Sequence, residues 1–394
     1  MKKITWAVFV FVFFLSAIGV VAQGEKENKF DKPSEAKNVK ISKKNVLSEN
    51  ERKSFDEIER VLKGKPAKPS PTPDLSAGGA TGILGNQIPT GGQRYAILVG
   101  MANYAGKIND LCVTAAKTGK NFPTVEDELA YYCKDEDALN MKKALIDEYN
   151  YSDSNIFIFS DANARFNAIK SKIDELVGTE TTPAKMTAND ELVFFFSGHS
   201  STGVAYDEAG LQLDNDEPLD EAMFIYDQDY SEVDYANGIN YVPGNSSYIW
   251  DDQLRAWFAD APTKRIIFAF DTCNAGGMKD LESDGRVLAM SSTEYQSSMT
   301  YYLGGYNNGT IDSPIYKESE GLFAHYFVKR AMTDGLGDGF NPLNKRSVNP
   351  LKYDGKVAIE EAFNYAYPII KTIQAPVLND KFYNDLLLGY QLNN

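Results

Sequence analysis

The chain has 394 residues, 43% of them hydrophobic and 24% charged, which is enough apolar material for a sizeable α/β core. Lysine and arginine number 40 against 55 aspartates and glutamates, a formal net charge of −15 at pH 7. That balance argues against nucleic acid or an anionic membrane surface as a partner and suits cationic ones, whether metal ions or basic peptides.

The amino end, MKKITWAVFVFVFFLSAIGVVA, carries two lysines, an apolar stretch and the small-residue exit Val20-Val21-Ala22. This is the pattern of a signal peptide cut after Ala22, so the product is expected to be secreted or extracytoplasmic. Left uncut, the apolar run approaches spanning length and would hold the chain on a membrane. Residues 23–91 differ in composition from the rest of the chain. They are polar first, with one short helix expected around Glu51 to Leu62, then rich in Pro, Gly and Ser (PAKPSPTPDLSAGGATG). That composition reads as a pro-segment or flexible tether.

The folded part is read as residues 92–394. RYAILVG (Arg94 to Gly100) is a strand, and DEDALNMKKALIDEY (Asp135 to Tyr149) has the apolar spacing of an amphipathic helix. NIFIF from Asn155 is a second strand, Phe166 to Val177 a helix, and Leu192 to Phe196 a third strand. A helix over Trp250 to Ala259 precedes the run RIIFAF from Arg265, whose unbroken hydrophobicity is that of a strand covered on both faces. RVLAMSS from Arg286 is a strand and Gly321 to Met332 a helix. A short strand KVAI, a helix from Glu360 to Ile373 and a last strand at DLLLG close the chain. Strands alternating with helices predict a mostly parallel sheet of about six strands with helices on both faces.

Two of these strands end in reactive side chains. FAFDTCNAGG puts Cys273 just past an acid that ends a core strand, with glycines at 276 and 277 marking a sharp turn. DELVFFFSGHS has the same plan and puts His199 at its carboxyl end. Open α/β sheets carry their sites at the carboxyl ends of strands, and parallel neighbours lie about 5 Å apart. A cysteine and a histidine on such neighbours can meet across a substrate. The chain has two histidines, and His325, in GLFAHYFVKRAM, reads as a partly buried helix residue.

The order RYAILVG, then the D-A-x-x-M helix start, FFFSGH and DTC with glycines after it resembles the caspase superfamily. The likeness is greatest to the metacaspase-like proteins of bacteria, archaea, plants and protists, and it covers about residues 92 to 394. EPLDEAMFIYDQDY (Glu217 to Tyr230) and YIWDDQL (Tyr248 to Leu254) share in it. The resemblance implies a caspase-like α/β fold and peptide-bond hydrolysis by a Cys273/His199 dyad. Ser200 stands where the family usually has Gly, and Asn274 where it more often has His.

A thiolate is the nucleophile in such chemistry, and the imidazole helps form it and later protonates the leaving amine. By resemblance, backbone N–H groups of Cys273 and Ser200 make the oxyanion hole. Asp137, Ser197 and Asp271 match pocket positions, and paired carboxylates there select Arg or Lys. Asp220, Asp251, Asp252 and Asp280 match the four aspartates that bind Ca²⁺ in metacaspases, an activating ion, with no cofactor needed for the chemistry. DGKVAIEE (Asp354 to Glu361) is not read as an EF-hand, because Pro350 and Lys352 stand where its first ligands belong. Export favours a disulfide between Cys112 and Cys133, with Cys273 left free. The expected partners are peptides or proteins with basic residues, met by a monomer. The alternatives are a legumain-like or other caspase-related peptidase with a different preference at P1, the residue before the cut bond, or a non-catalytic binding module on this fold.

Overall fold

The computed structural model describes residues 79–104, 111–113, 135–203, 220–226, 239–240, 248–302, 304–305, 320–340 and 353–391, with two short strands ahead of them at Lys37–Val39 and Asn45–Val46. The signal segment, the helix expected near residue 51, Cys133 and most of the stretch from 103 to 128 lie outside the described residues. So does the expected Cys112–Cys133 bridge.

The centre is a six-stranded sheet. Its strands are β1 (Arg94–Gly100), β2 (Ile156–Ser160), β3 (Glu191–Ser197), β4 (Ile266–Asp271), β5 (Arg286–Met290) and β6 (Val377–Asp380). They lie in the order β6-β5-β4-β3-β1-β2. All neighbours are parallel except β6, which runs antiparallel to β5. β3 and β4 are buried at every position, which is why their sequences show unbroken hydrophobicity instead of alternation.

Side chains alternate across the sheet. Val193, Phe195, Ile267 and Ala269 face one half of the core, with α1 (Asp137–Asp147), a helix starting at Leu322–Ala324 that continues as π-helix His325–Thr333, and a helix over Ile359–Ile370. Phe194, Phe196, Phe268 and Phe270 face the other, with helices over Phe166–Val177 and Asp251–Trp257. A smaller antiparallel sheet of Ser200–Gly203, Asp220–Phe224 and Tyr248–Trp250 continues from the carboxyl end of β3.

The carboxyl-terminal part departs from expectation in two places. KVAI forms no strand: Val357 and Ala358 are buried loop and Ile359 already begins a helix. DLLLG makes a single bridge, Leu84 to Asp385, and the closing strand is the unanticipated VLND of β6.

The chain joins the body ahead of β1. The Asp385 carboxylate accepts hydrogen bonds from Thr81 N–H (2.6 Å), Thr81 hydroxyl (2.8 Å) and Gly82 N–H (2.6 Å). Arg265, just before β4, donates to Asn86 and Leu387 carbonyls at 2.7 and 2.6 Å and pairs with buried Glu191. This strap therefore lies at the amino ends of the strands.

Candidate active site

The site is built where β3 and β4 run out. Ser197 pairs with Asp271, so the parallel register, carried two residues further, sets His199 level with Cys273. The two loops are bonded to each other. Gly198 N–H donates to the Asp271 carbonyl (3.2 Å), Thr272 hydroxyl donates to the Gly198 carbonyl (2.9 Å), and Ser200 hydroxyl donates to the Cys273 carbonyl. The Cys273 thiol points toward the Ser298 carbonyl, 3.9 Å away.

His199 is oriented by a residue that carries no signal in the sequence. Tyr104, just past β1, stacks on the imidazole with ring centres 5.2 Å apart, and its hydroxyl accepts the His199 backbone N–H at 2.6 Å. Past the nucleophile, Asn274 takes the left-handed conformation (φ 55°), which asparagine tolerates better than most residues. A 3₁₀ turn over Ala275–Leu281 comes next. Cys273 and His199 are 0% and 2% exposed.

Asp137, Ser197 and Asp271 come together on the sheet face that α1 covers. Asp137, the first residue of α1, accepts from the Ser197 hydroxyl and from Gly321 N–H at 3.0 and 3.1 Å. Asp271 accepts from the Ser298 hydroxyl and Ala324 N–H, both at 2.8 Å. The start of the 322–333 helix thus offers its free N–H groups to both acids. Beside them, buried Asp135 caps α1 through Ala138 N–H (2.9 Å). Burial first, then the charges of Asp137 and Asp161, push its carboxyl well above the usual range. His325 stands apart from this chemistry: it is buried in its helix, stacked 3.9 Å from Tyr301 and paired with Glu320 at 3.0 Å.

Of the four aspartates expected to hold an ion, Asp220, Asp251 and Asp252 come together with ligand oxygens within 4.8 Å of one another, all buried. Asp280 adjoins them through Arg255, whose guanidinium lies 2.6 Å from Asp252 and 3.7 Å from Asp280. Both Asp251 oxygens are buried, with the adjacent Asp252 N–H as a weak backbone donor. Burial, then Glu221, Asp252 and Asp220, push its carboxyl well above the usual range. Glu221 is a second residue without a sequence signal. Its carboxylate packs against Gly277, where a Cβ would stand 1.9 Å from it, so the acid cluster abuts the turn after Cys273. A hard cation suits this set of clustered, buried carboxylate oxygens.

Residues 132–282 match the family model described as the metacaspase, peptidase C14 domain. Over that span the chain is similar to the metacaspase peptidase domain. The matched span holds His199, Cys273, Asp137, Ser197, Asp271 and all four aspartates of the acidic set. Metacaspase-1 of Meyerozyma guilliermondii is 28% identical over 194 residues, 48% of this chain and 37% of that protein. Metacaspase-1 of Scheffersomyces stipitis is 24% identical over 194 residues, 48% of this chain and 38% of that protein. The chain thus spans little more than a third of the length of these curated relatives. A solved structure of pro-sf-caspase-1 aligns with 82% of this chain and 99% of its own at 10% identity and a TM-score of 0.33.

Proposed function

We propose that this metacaspase-like chain is a secreted, monomeric cysteine endopeptidase that cuts peptide bonds after Arg or Lys. The observation that carries this reading is the β3–β4 register, with His199 level with Cys273 on one rim and two carboxylates beside them. His199 takes the thiol proton, and Sγ of Cys273 attacks the scissile carbonyl carbon. The C=O π electrons move to oxygen, and the N–H groups of Cys273 and Ser200 stabilise that charge. His199 returns the proton to the leaving nitrogen as the C–N bond breaks. Water, deprotonated by His199, then attacks the acyl carbon; the C–S bond breaks, the acid leaves, and the sulfur recovers the proton from His199. Asp137 and Asp271 receive the guanidinium or ammonium of the residue before the cut bond, with Ser197 holding Asp137 in place.

Asp220, Asp251 and Asp252 would hold a calcium ion, which supplies positive charge to a buried acidic cluster and needs no part in bond cleavage. Its place next to the turn after Cys273 supports a role in ordering the site. Lys63, Lys65 and Lys68 offer the enzyme a site in its own leader, so calcium-stimulated trimming there is expected.

The test is labelling with an arginyl chloromethylketone, with calcium and with chelator, alongside a peptide-library profile. Wild type should be labelled at Cys273, Cys273→Ala should lose labelling and amidase activity while staying folded, and Arg or Lys should dominate the profile. A profile dominated by Asp or Asn would favour a caspase-related peptidase of other preference. Full amidase activity in Cys273→Ala would sink the dyad.

A further inference from the structure

We infer that the Ser200 hydroxyl is a positioning group for the nucleophile, so that the serine standing in place of the family's glycine improves this site. The inference rests on the dyad reading and extends it to a residue outside the dyad.

The frame of Cys273 is set by the two peptide planes on either side of it. The plane before it is held from the segment after β5: the Ser291 and Ser292 hydroxyls donate to the Thr272 carbonyl at 2.9 and 3.2 Å. Ser291 also accepts from Thr272 N–H at 3.1 Å. The plane after it is held at one end by Asn274 N–H donating to the Gln296 carbonyl at 2.8 Å. At its other end the Cys273 carbonyl accepts from the Ser200 hydroxyl. Three serines and a glutamine therefore fix the direction in which the thiol leaves the backbone, and Ser200 alone among these four belongs to the strand that carries on from His199.

That placement gives Ser200 a distinct effect. The 291–296 segment can hold Cys273 against β5, but it cannot set the distance from thiol to imidazole. A bond from the residue after His199 to the carbonyl of Cys273 ties the two reactive residues by one short path. Ser200 is 0% exposed, so water does not compete for the bond. It also faces Met223 across the small sheet, which fixes its backbone independently of the hydroxyl. Removing the hydroxyl leaves the backbone N–H proposed for the oxyanion hole untouched, and takes the Ser200 donor away from the buried Cys273 carbonyl.

The experiment compares wild type with Ser200→Ala and Ser200→Gly, on an Arg-amide substrate and by iodoacetamide alkylation of Cys273 read by peptide mass spectrometry across pH. Melting curves check the fold of each variant. Both variants should lose roughly tenfold in kcat, the loss of about one hydrogen bond, with KM within roughly twofold. Alkylation of Cys273 should need higher pH in both, because the thiol is held less well against His199. Ser200→Gly, which restores the family's residue, should be no better than Ser200→Ala. The proposal is overturned if Ser200→Gly matches or exceeds wild type, or if the alkylation profile stays fixed in both variants. Should wild type cleave no Arg or Lys substrate, the dyad's assigned activity fails while the alkylation profile still decides whether Ser200 holds the thiol.

Discussion

Adding one methyl group at Gly321 tests the pocket directly. The backbone there is extended (φ −72°, ψ 150°), so alanine meets no torsional strain. A Cβ, however, would stand 2.0 Å from Asp271 Oδ2, 2.6 Å from its Cγ and 3.1 Å from Asp137 Oδ2. Ordinary contact is about 3.5 Å, so the Asp271 carboxylate must retreat by about 1.5 Å. Its bonds from Ser298 and Ala324, both 2.8 Å, cannot survive that shift. Overpacking costs about 1–3 kcal/mol and each weakened bond to a charge about 1.5–3 kcal/mol, and partial relaxation leaves a net of about 3 kcal/mol. In a domain of this size that lowers Tm by roughly 6 °C. Cleavage after Arg should fall roughly a hundredfold, because the displaced acid no longer meets the substrate cation. Scanning calorimetry and Arg-amide kinetics measure both effects. The same substitution in an Asp271→Ala background should cost far less, since the obstructing oxygen is gone. Equal cost in the two backgrounds, or an unchanged Tm in the single variant, refutes the reasoning.

Two further outcomes concern the carboxylates. Asp251→Asn should raise the melting temperature in chelator by a few degrees and abolish any rise on adding calcium, because Asp251 is a buried carboxyl crowded by three other acids; a calcium-induced shift equal to wild type would exclude Asp251 as a ligand. Burial is the first cause raising Asp380 to about 6 and Glu361 to about 8, so each favours the folded state in its protonated form. The stability they contribute is complete below the ordinary carboxylate range and is lost as pH rises through 6 and then 8, so Tm in calcium-free buffer should fall between pH 5 and 8.5. Glu361→Gln should flatten the upper part of that fall, and a Tm that rises across this range would contradict it.

The strands β1 to β5 were legible because continuous apolar runs between turn signals have few other uses. Cys273 and His199 stood out for the same reason: each comes after such a run at the carboxyl end, where the sheet itself makes a site. β6 was not legible, because VLND is short and half polar and acquires its strand only by pairing with β5. KVAI misled in the opposite sense. Its apolar residues are buried by tertiary packing at a helix start, where alternation has no meaning. Asp137 and Asp271 could be placed by resemblance, but their partners Gly321 and Ala324 lie far along the chain and carry no chemical signature. Tyr104 and Glu221 are hidden likewise, since an aromatic or an acid near a strand end is common and only the fold brings them to His199 and Gly277.

The leader is fastened at both rims of the sheet. Val46 pairs with Thr300, two residues past the Ser298 carbonyl that the thiol approaches, while Thr81 and Gly82 are bound by Asp385 at the opposite rim. From Ala80 back to Lys68 is a contour of roughly 40 Å, about twice the length of β4, long enough for Lys63, Lys65 and Lys68 to reach the thiol of their own molecule. A cut there divides the leader into unequal tenants. The downstream remnant keeps its bonds to Asp385, Tyr390 and Arg265, whereas the upstream fragment retains two short strand pairings and should leave. Maturation in this molecule would then be first order in enzyme and would clear the rim next to the nucleophile in the same event.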